Sequence, residues 1–496
     1  MPAISEILNL GLQHHQAGRL QEAEALYRQI LQVEPNNSDA LHLLGVITHQ
    51  SGRHDAAVEF IVRAIALNPE APEYHNNIGE VYRAQGKQEE AIAHYRKALA
   101  LRPAYADAHS NLGVAFQSLC KPEEANVHFE SAVALNPNSF QLRYNFGRAL
   151  MEQGMPEKAM QHYRQALALK PGFFPAVNDY AAALLQTGEC ELMAGFIDSL
   201  HKLPAHQVNQ GQARGLHILL AIACYLRGEF DRCRDNLVLG KLDTTSPDDF
   251  PNRRVLEVYC NFLTGLLGFY EARRSFYSRS FDARAECYAV GDSHCLSPAW
   301  TAVTLQGEHH RVVPHMVTGC KAWHLAKDGN NLFKQWFHAI YERLPVASTV
   351  LGAIGEIDCR VNDGILPFYK KHPERDLHGI IRDTVERYVA CVSGLMLKKG
   401  IRLYLQGVPA PHRDIIGQSG QDGEMLVRIV REFNRALIES AGRYGCPVIA
   451  VYRMTAAHAG ISNGLYHLDW YHLRPDYLEE ALAKYLVGST RPGGRK

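Results

Sequence analysis

The sequence has no excess of charge of either sign. Its 496 residues carry 52 Lys and Arg against 52 Asp and Glu, which removes any global electrostatic case for a nucleic acid or an anionic membrane surface as partner. It has no run of about 18 apolar residues, and its start, Met1-Pro-Ala-Ile-Ser-Glu, shows no basic segment ahead of an apolar core. A soluble, unexported chain without a membrane span is expected. The 11 cysteines are odd in number and form no Cys-x-x-Cys, which fits a reducing compartment, the cytoplasm, better than a disulfide framework. There is no His-Glu-x-x-His, no Gly-rich phosphate loop and no dinucleotide fingerprint, so no metal and no cofactor is expected. His309 and His310, after Glu308, are read as solvated loop residues.

What is present first is a repeat. Glycine recurs at Gly11, Gly45, Gly79, Gly113 and Gly147, alanine at Ala23, Ala57, Ala91, Ala125 and Ala159, and proline at Pro35, Pro69, Pro103, Pro137 and Pro171, a period of 34. Four residues after each alanine stands a large side chain: Tyr27, Ile61, Tyr95, Phe129 or Tyr163. Turn glycines follow the first glycine by seven residues at Gly18, Gly52, Gly86 and Gly154, with Cys120 the exception. Small residues let two helices of a hairpin approach closely, the large residue fills the space between neighbouring units, and proline ends the second helix. No unit buries its apolar face alone, so the units must stack. The pattern resembles the tetratricopeptide repeat over residues 4–173.

The sixth position of the first helix is Asn9, Asn77, Asn111 and Asn145, with Leu43 interrupting. An amide pairs with a peptide group through both its donor and its acceptor. In arrays resembling those of the protein O-GlcNAc transferases, such a ladder lines the groove, and the resemblance implies an extended polypeptide or protein partner there. The repeat then decays. Gly188 and Gly228 keep turn positions of divergent capping units over 174–250, and a helix over 253–277 bridges to the rest within 251–282.

From about residue 283 apolar strands alternate with amphipathic helices. Strands are expected over Cys287-Tyr288-Ala289-Val290, ending at Gly291, and over 312–317, 347–354, 401–408 and 446–451, with helices over 331–344, 377–397 and 424–444. Parallel strands need crossovers, so the expected fold of 283–496 is a three-layer α/β/α, flavodoxin-like sandwich with a five-stranded parallel sheet. The whole is a multidomain chain, an all-α repeat superhelix followed by this α/β domain.

Gly291-Asp292-Ser293 closes the first strand, and Asp469 and His472, three residues apart, follow the last. The combination resembles the SGNH, or GDSL-like, hydrolase family. By that resemblance Ser293 is the nucleophile, His472 the general base and Asp469 the group that fixes the imidazole tautomer. The family's middle blocks supply oxyanion donors, which the resemblance maps to Gly319 and to the block Gly355-Glu356-Ile357-Asp358-Cys359-Arg360. Ile357 stands where the family keeps an asparagine, and one such donor is worth roughly 3 kcal/mol. Arg360 is the candidate replacement or a substrate-carboxylate ligand, and Gly355 and Asp358 keep their places. Trp323, Tyr466, Trp470 and Tyr471 are candidates for an aromatic wall, and Trp336 reads as core.

Three functions are weighed. The first is a serine esterase or acyl transferase of SGNH type on a small acyl ester, such as an O-acetyl group of a glycan, with the repeats recruiting a protein partner. The second is a non-catalytic scaffold with a degenerate hydrolase domain. The third, a glycosyltransferase, has only the asparagine ladder in its favour, and the second domain is too short for a paired nucleotide-sugar fold.

Overall fold

The computed structural model describes residues 4–187, 189–200, 210–241, 253–273, 283, 285–317, 320–329, 331–355, 358–360, 362, 364–469 and 472–488. They fall into two compact units, Met1–Asp179 and Tyr180–Lys496.

The first unit is a stack of helical hairpins: α1 (Ile4–Gln16) with α2 (Leu20–Val33), α3 (Ser38–Gln50) with α4 (His54–Leu67), α5 (Pro72–Ala84) with α6 (Gln88–Leu101), α7 (Ala106–Ser118) with α8 (Pro122–Leu135), and α9 (Phe140–Glu152) with α10 (Pro156–Leu169). The recurring glycine is a socket for the large residue of its own hairpin. A Cβ at Gly11, Gly79 or Gly147 would stand 2.5, 2.6 or 2.6 Å from the ring of Tyr27, Tyr95 or Tyr163, and one at Gly45 would stand 2.4 Å from Ile61. Those large side chains are fully buried, and they also pack on the next hairpin as expected, Tyr27 with Ala40, Leu44 and Ile47, Ile61 with Tyr74 and Ile78, and Phe129 on Phe146. The turn glycines adopt φ between 72° and 78°, and Cys120 adopts the same left-handed turn at φ 57°. That conformation costs a non-glycine residue about 1 kcal/mol. It is held there as in the other units, with the Lys121 N–H donating to the Phe116 carbonyl at 3.0 Å.

The second unit contains helices α11 (Phe174–Thr187, within which the units divide), α12 (Cys190–Leu200), α13 (Gln210–Leu226), α14 (Phe230–Gly240) and α15 (Arg253–Ala272), then a sheet. Its strands are β1 (Ala285–Gly291), β2 (Ala302–Leu305), β3 (Glu308–Met316), β4 (Thr349–Ala353), β5 (Arg402–Gln406), β6 (Val448–Ile449) and β7 (Leu486–Val487). They lie in the order β2-β3-β1-β4-β5-β6-β7. The expectation of a five-stranded parallel sheet is therefore corrected to a mixed sheet of seven. The expected strands pair in parallel as β3-β1-β4-β5-β6, and β2 and β7 add antiparallel edges. The β2–β3 hairpin turns through Gln306 and Gly307, both at positive φ. His309 and His310 are strand residues of β3 in this hairpin, not loop residues, and His310 is 7% exposed.

Helices α16 (Ala322–Ala326), α17 (Leu332–Arg343), α18 (Ile365–Lys371), α19 (Leu377–Lys398) and α21 (Gln421–Arg443) supply much of the core, α20 (Arg413–Ser419) lying between the last two. Phe337, Tyr388, Val389, Phe433 and Leu437 bury against Val350, Leu403 and Leu405. Helices α22 (Val451–Thr455) and α23 (Tyr477–Lys484) complete the unit. The chain leaves β1 toward β3 on one side and returns to β4 on the other. The carboxyl end of β1 is thus the point where the strand order reverses, the place where open α/β sheets bind ligands. No helix among the described residues is long and apolar enough to cross a membrane.

Candidate active site

Gly291 lets β1 run tight against β4, since a Cβ there would stand 2.1 Å from the Ala353 carbonyl oxygen. Asp292 then caps a single helical turn, Ser293–Leu296, its Oδ1 accepting the His294 N–H at 2.9 Å. This turn holds Ser293 at the strand end, 8% exposed. The partner comes from a short hairpin in which the Leu468 N–H donates to the His472 carbonyl at 2.8 Å. Asp469 uses both oxygens on one residue: Oδ1 accepts the His472 backbone N–H at 2.8 Å and Oδ2 accepts from Nδ1 at 2.7 Å. That leaves Nε2 as the acceptor facing the Ser293 hydroxyl at 2.9 Å. The structure brings Ser293, His472 and Asp469 into one hydrogen-bonded row.

Two neighbours of this row are given no role by the sequence. Phe262, from α15, stacks on the His472 ring with centroids 3.7 Å apart, and His294 stacks on the same ring at 4.8 Å. His294 is held in turn by Asp292, whose Oδ1 accepts from Nδ1 at 2.8 Å. Burial pushes the Asp292 acid toward neutrality, but the His294 contacts and the Arg360 charge outweigh it and hold the carboxyl below its usual range. A second Asp–His pair, wholly buried, therefore lies beside the first.

The remaining expected residues are placed unequally. Arg360 is half-buried and within electrostatic reach of Asp292 and Tyr259. Gly355 is buried at φ 130°, with the Phe433 ring where a side chain would be. Asp358 is turned to structural use, its carboxylate accepting the backbone N–H groups of Ala322 at 2.7 Å and Trp323 at 3.0 Å at the start of α16. Burial raises its acid to about 7 against those bonds. Gly319, Glu356, Ile357, Trp470 and Tyr471 lie outside the described residues, as does Gly188. Among the described residues no group of three or more His, Cys, Asp or Glu side chains is placed to hold a metal ion.

In the first unit the asparagine ladder is present, and its half-buried amides bond along the stack. Asn77 donates to His42 Nε2 at 2.8 Å, Asn111 to Asn76 Oδ1 at 3.0 Å and to Glu80 at 2.7 Å, and Asn145 to Ser110 at 3.3 Å. Each amide reaches the fifth position of the preceding hairpin and stitches the stack together. Asn9, at the open end, is exposed.

Family comparisons bear on the repeats. Models described as tetratricopeptide or TPR repeat match residues 14–77, 79–119, 140–173 and 215–235. The N-terminal region is built of tetratricopeptide repeats. It is a helical superhelix of the kind that serves as a protein-interaction scaffold. A thermophilic TPR protein of Thermus thermophilus is 25% identical over 37% of this chain and 100% of its own, with a TM-score of 0.35. An O-GlcNAc transferase mutant of Thermobaculum terrenum is 34% identical over 26% of this chain, with a TM-score of 0.26, and the chain spans only 26% of that protein. A tetratricopeptide repeat protein of Parabacteroides merdae is 16% identical over 53% of this chain and 98% of its own, with a TM-score of 0.36. No curated protein matches the chain significantly.

Proposed function

We propose that the second unit is a serine esterase or O-acyl transferase of SGNH type acting on a small acyl ester, such as an O-acetyl group of a glycan, in the cytoplasm. The tetratricopeptide repeats would recruit its protein partner. The observation that carries this reading is the row Ser293 Oγ, His472 Nε2, His472 Nδ1, Asp469 Oδ2, with successive contacts of 2.9 and 2.7 Å. The strand order of the mixed seven-stranded sheet supports it, since Ser293 follows β1, beside which the order reverses.

In this mechanism the Ser293 hydroxyl gives its proton to His472 Nε2 as Oγ bonds to the acyl carbon. The imidazolium is held by Asp469, and it returns the proton to the leaving alkoxide as the ester C–O bond breaks, giving an alcohol and acyl-Ser293. Water, or an acceptor hydroxyl, then gives its proton to His472 and attacks the acyl carbon. The acid or the new ester leaves as Oγ takes the proton back. Arg360 supplies positive charge near the developing oxyanion. Domain boundaries at 173, 250 and 282, with the α/β domain over 283–496, belong to this proposal. The partner of the repeats would lie along their groove with Asn9, Asn77, Asn111 and Asn145 as its candidate contacts, since the bonds within the array do not use up an amide's donors and acceptor oxygen together. The test is hydrolysis of p-nitrophenyl acetate by the full chain. Turnover that disappears in Ser293→Ala and in His472→Ala supports an enzyme, and turnover unaffected by both excludes this site.

A further inference from the structure

We infer that the site holds an acyl pocket built for one or two carbons, which makes it selective for acetyl over longer acyl esters. The inference rests on reading Ser293 as the nucleophile. Ser293 and His472 are 8% and 2% exposed, and Phe262 lies flat on the imidazole at 3.7 Å, so an acyl chain has little free surface to run along. Next to His294 the carboxyl ends of β4 and β5 enclose a cavity of about 10 Å³ bounded by Ala353, Ile354, Gln406, Gly407, Val408 and Pro409. That is room for one water-sized group, the size of an acetyl methyl.

The walls are fixed from behind. Asn434 holds Val408 by both backbone groups, its Oδ1 accepting the N–H at 3.0 Å and its Nδ2 donating to the carbonyl at 3.0 Å. Its Oδ1 stands 2.4 Å from where a Cβ on Gly407 would be. Two residues beyond Val408, the Ala410 N–H donates to Thr455 Oγ1 at 2.8 Å. Ile354 and Val408 are each 3% exposed. A longer chain must displace these close-packed atoms, and a single extra methylene at such a wall changes rates by roughly 10 to 200-fold. Apart from His294 the lining carries no titratable side chain, so an uncharged acyl group is the one it fits.

The experiment is kcat/KM on p-nitrophenyl acetate, butyrate and octanoate for the full-length protein, with Ile354→Ala and Val408→Ala beside it and fluorophosphonate labelling of Ser293 as control. Acetate is expected to exceed butyrate by at least about tenfold, with both variants narrowing that ratio. The ratio is internal to each protein, and the wild-type series needs no variant to fold. Equal turnover of acetate and butyrate by the wild type, with Ser293 labelled, would overturn the pocket and leave the esterase standing. No turnover of any ester and no label would overturn both.

Discussion

Replacing Asp469 by Asn changes one atom at the surface end of the proposed catalytic row and is expected to abolish the chemistry proposed for it. Asp469 offers only acceptors, and both are in use: the His472 N–H at 2.8 Å and Nδ1 at 2.7 Å. An asparagine keeps one acceptor and gains a donor. If its oxygen keeps the backbone N–H, its NH2 faces Nδ1, which must give up its proton to avoid two donors in contact. The proton then sits on Nε2, directed at Ser293 Oγ 2.9 Å away, and the base is lost. The opposite placement sets the NH2 against the backbone N–H and forfeits that bond. A wrong tautomer of this kind lowers kcat by roughly 10⁴, about 5.5 kcal/mol of transition-state stabilisation. Stability should move by less than about 1 kcal/mol, because the Asp469 side chain is 37% exposed and Asn is nearly isosteric. The assay is kcat on p-nitrophenyl acetate from pH 6 to 9 with a thermal melt of each protein. Activity within tenfold of wild type, in a protein of unchanged melting temperature, would refute the role given to Asp469.

Three further outcomes are expected. Asn434→Leu leaves the buried N–H and carbonyl of Val408 without partners and should cost about 3–5 kcal/mol, read from chemical denaturation. Gly79→Ala drives a methyl to 2.6 Å from the Tyr95 ring, and a loss of roughly 1–3 kcal/mol is expected in the same assay. Acid should loosen the first unit: burial lowers His42 from 6.5 to about 4, and lowers His94 and His128 in the same direction. A histidine depressed in the folded state takes up its proton first in the unfolded chain, so stability is full above pH 6.5 and falls toward pH 4, by about 3 kcal/mol for His42 alone. Hydrogen exchange of α3 to α8 measured at pH 7 and pH 5 checks this, with faster exchange expected at pH 5 after correction for intrinsic rates.

The repeats were legible because each recurring identity answers a contact within one hairpin: Gly79 must be small for Tyr95, and Gly86 must take a positive φ. The direction of the asparagine bonds was not legible. Asn111 reaches Asn76, 35 positions back, through the stagger of successive units, and composition at one position does not reveal that. In the second unit the apolar runs gave the parallel strands, whereas β2 and β7, four and two residues long, are too short to show a period. The Asp469 and His472 pair was readable because a spacing of three lets one carboxylate bond both the backbone and the ring. Phe262 left no such signal: its contact with His472 joins residues far apart in the chain, and on α15 its apolar side chain reads as core.

The most direct measurement is mass-spectrometric mapping of the folded, full-length protein after reaction with a fluorophosphonate. A single adduct on Ser293, lost in His472→Ala, is the expected result, because only a hydroxyl with a base 2.9 Å away reacts so at neutral pH. No adduct on Ser293 in a sample whose melting curve shows it folded would contradict the assignment of Ser293, His472 and Asp469 as a catalytic triad.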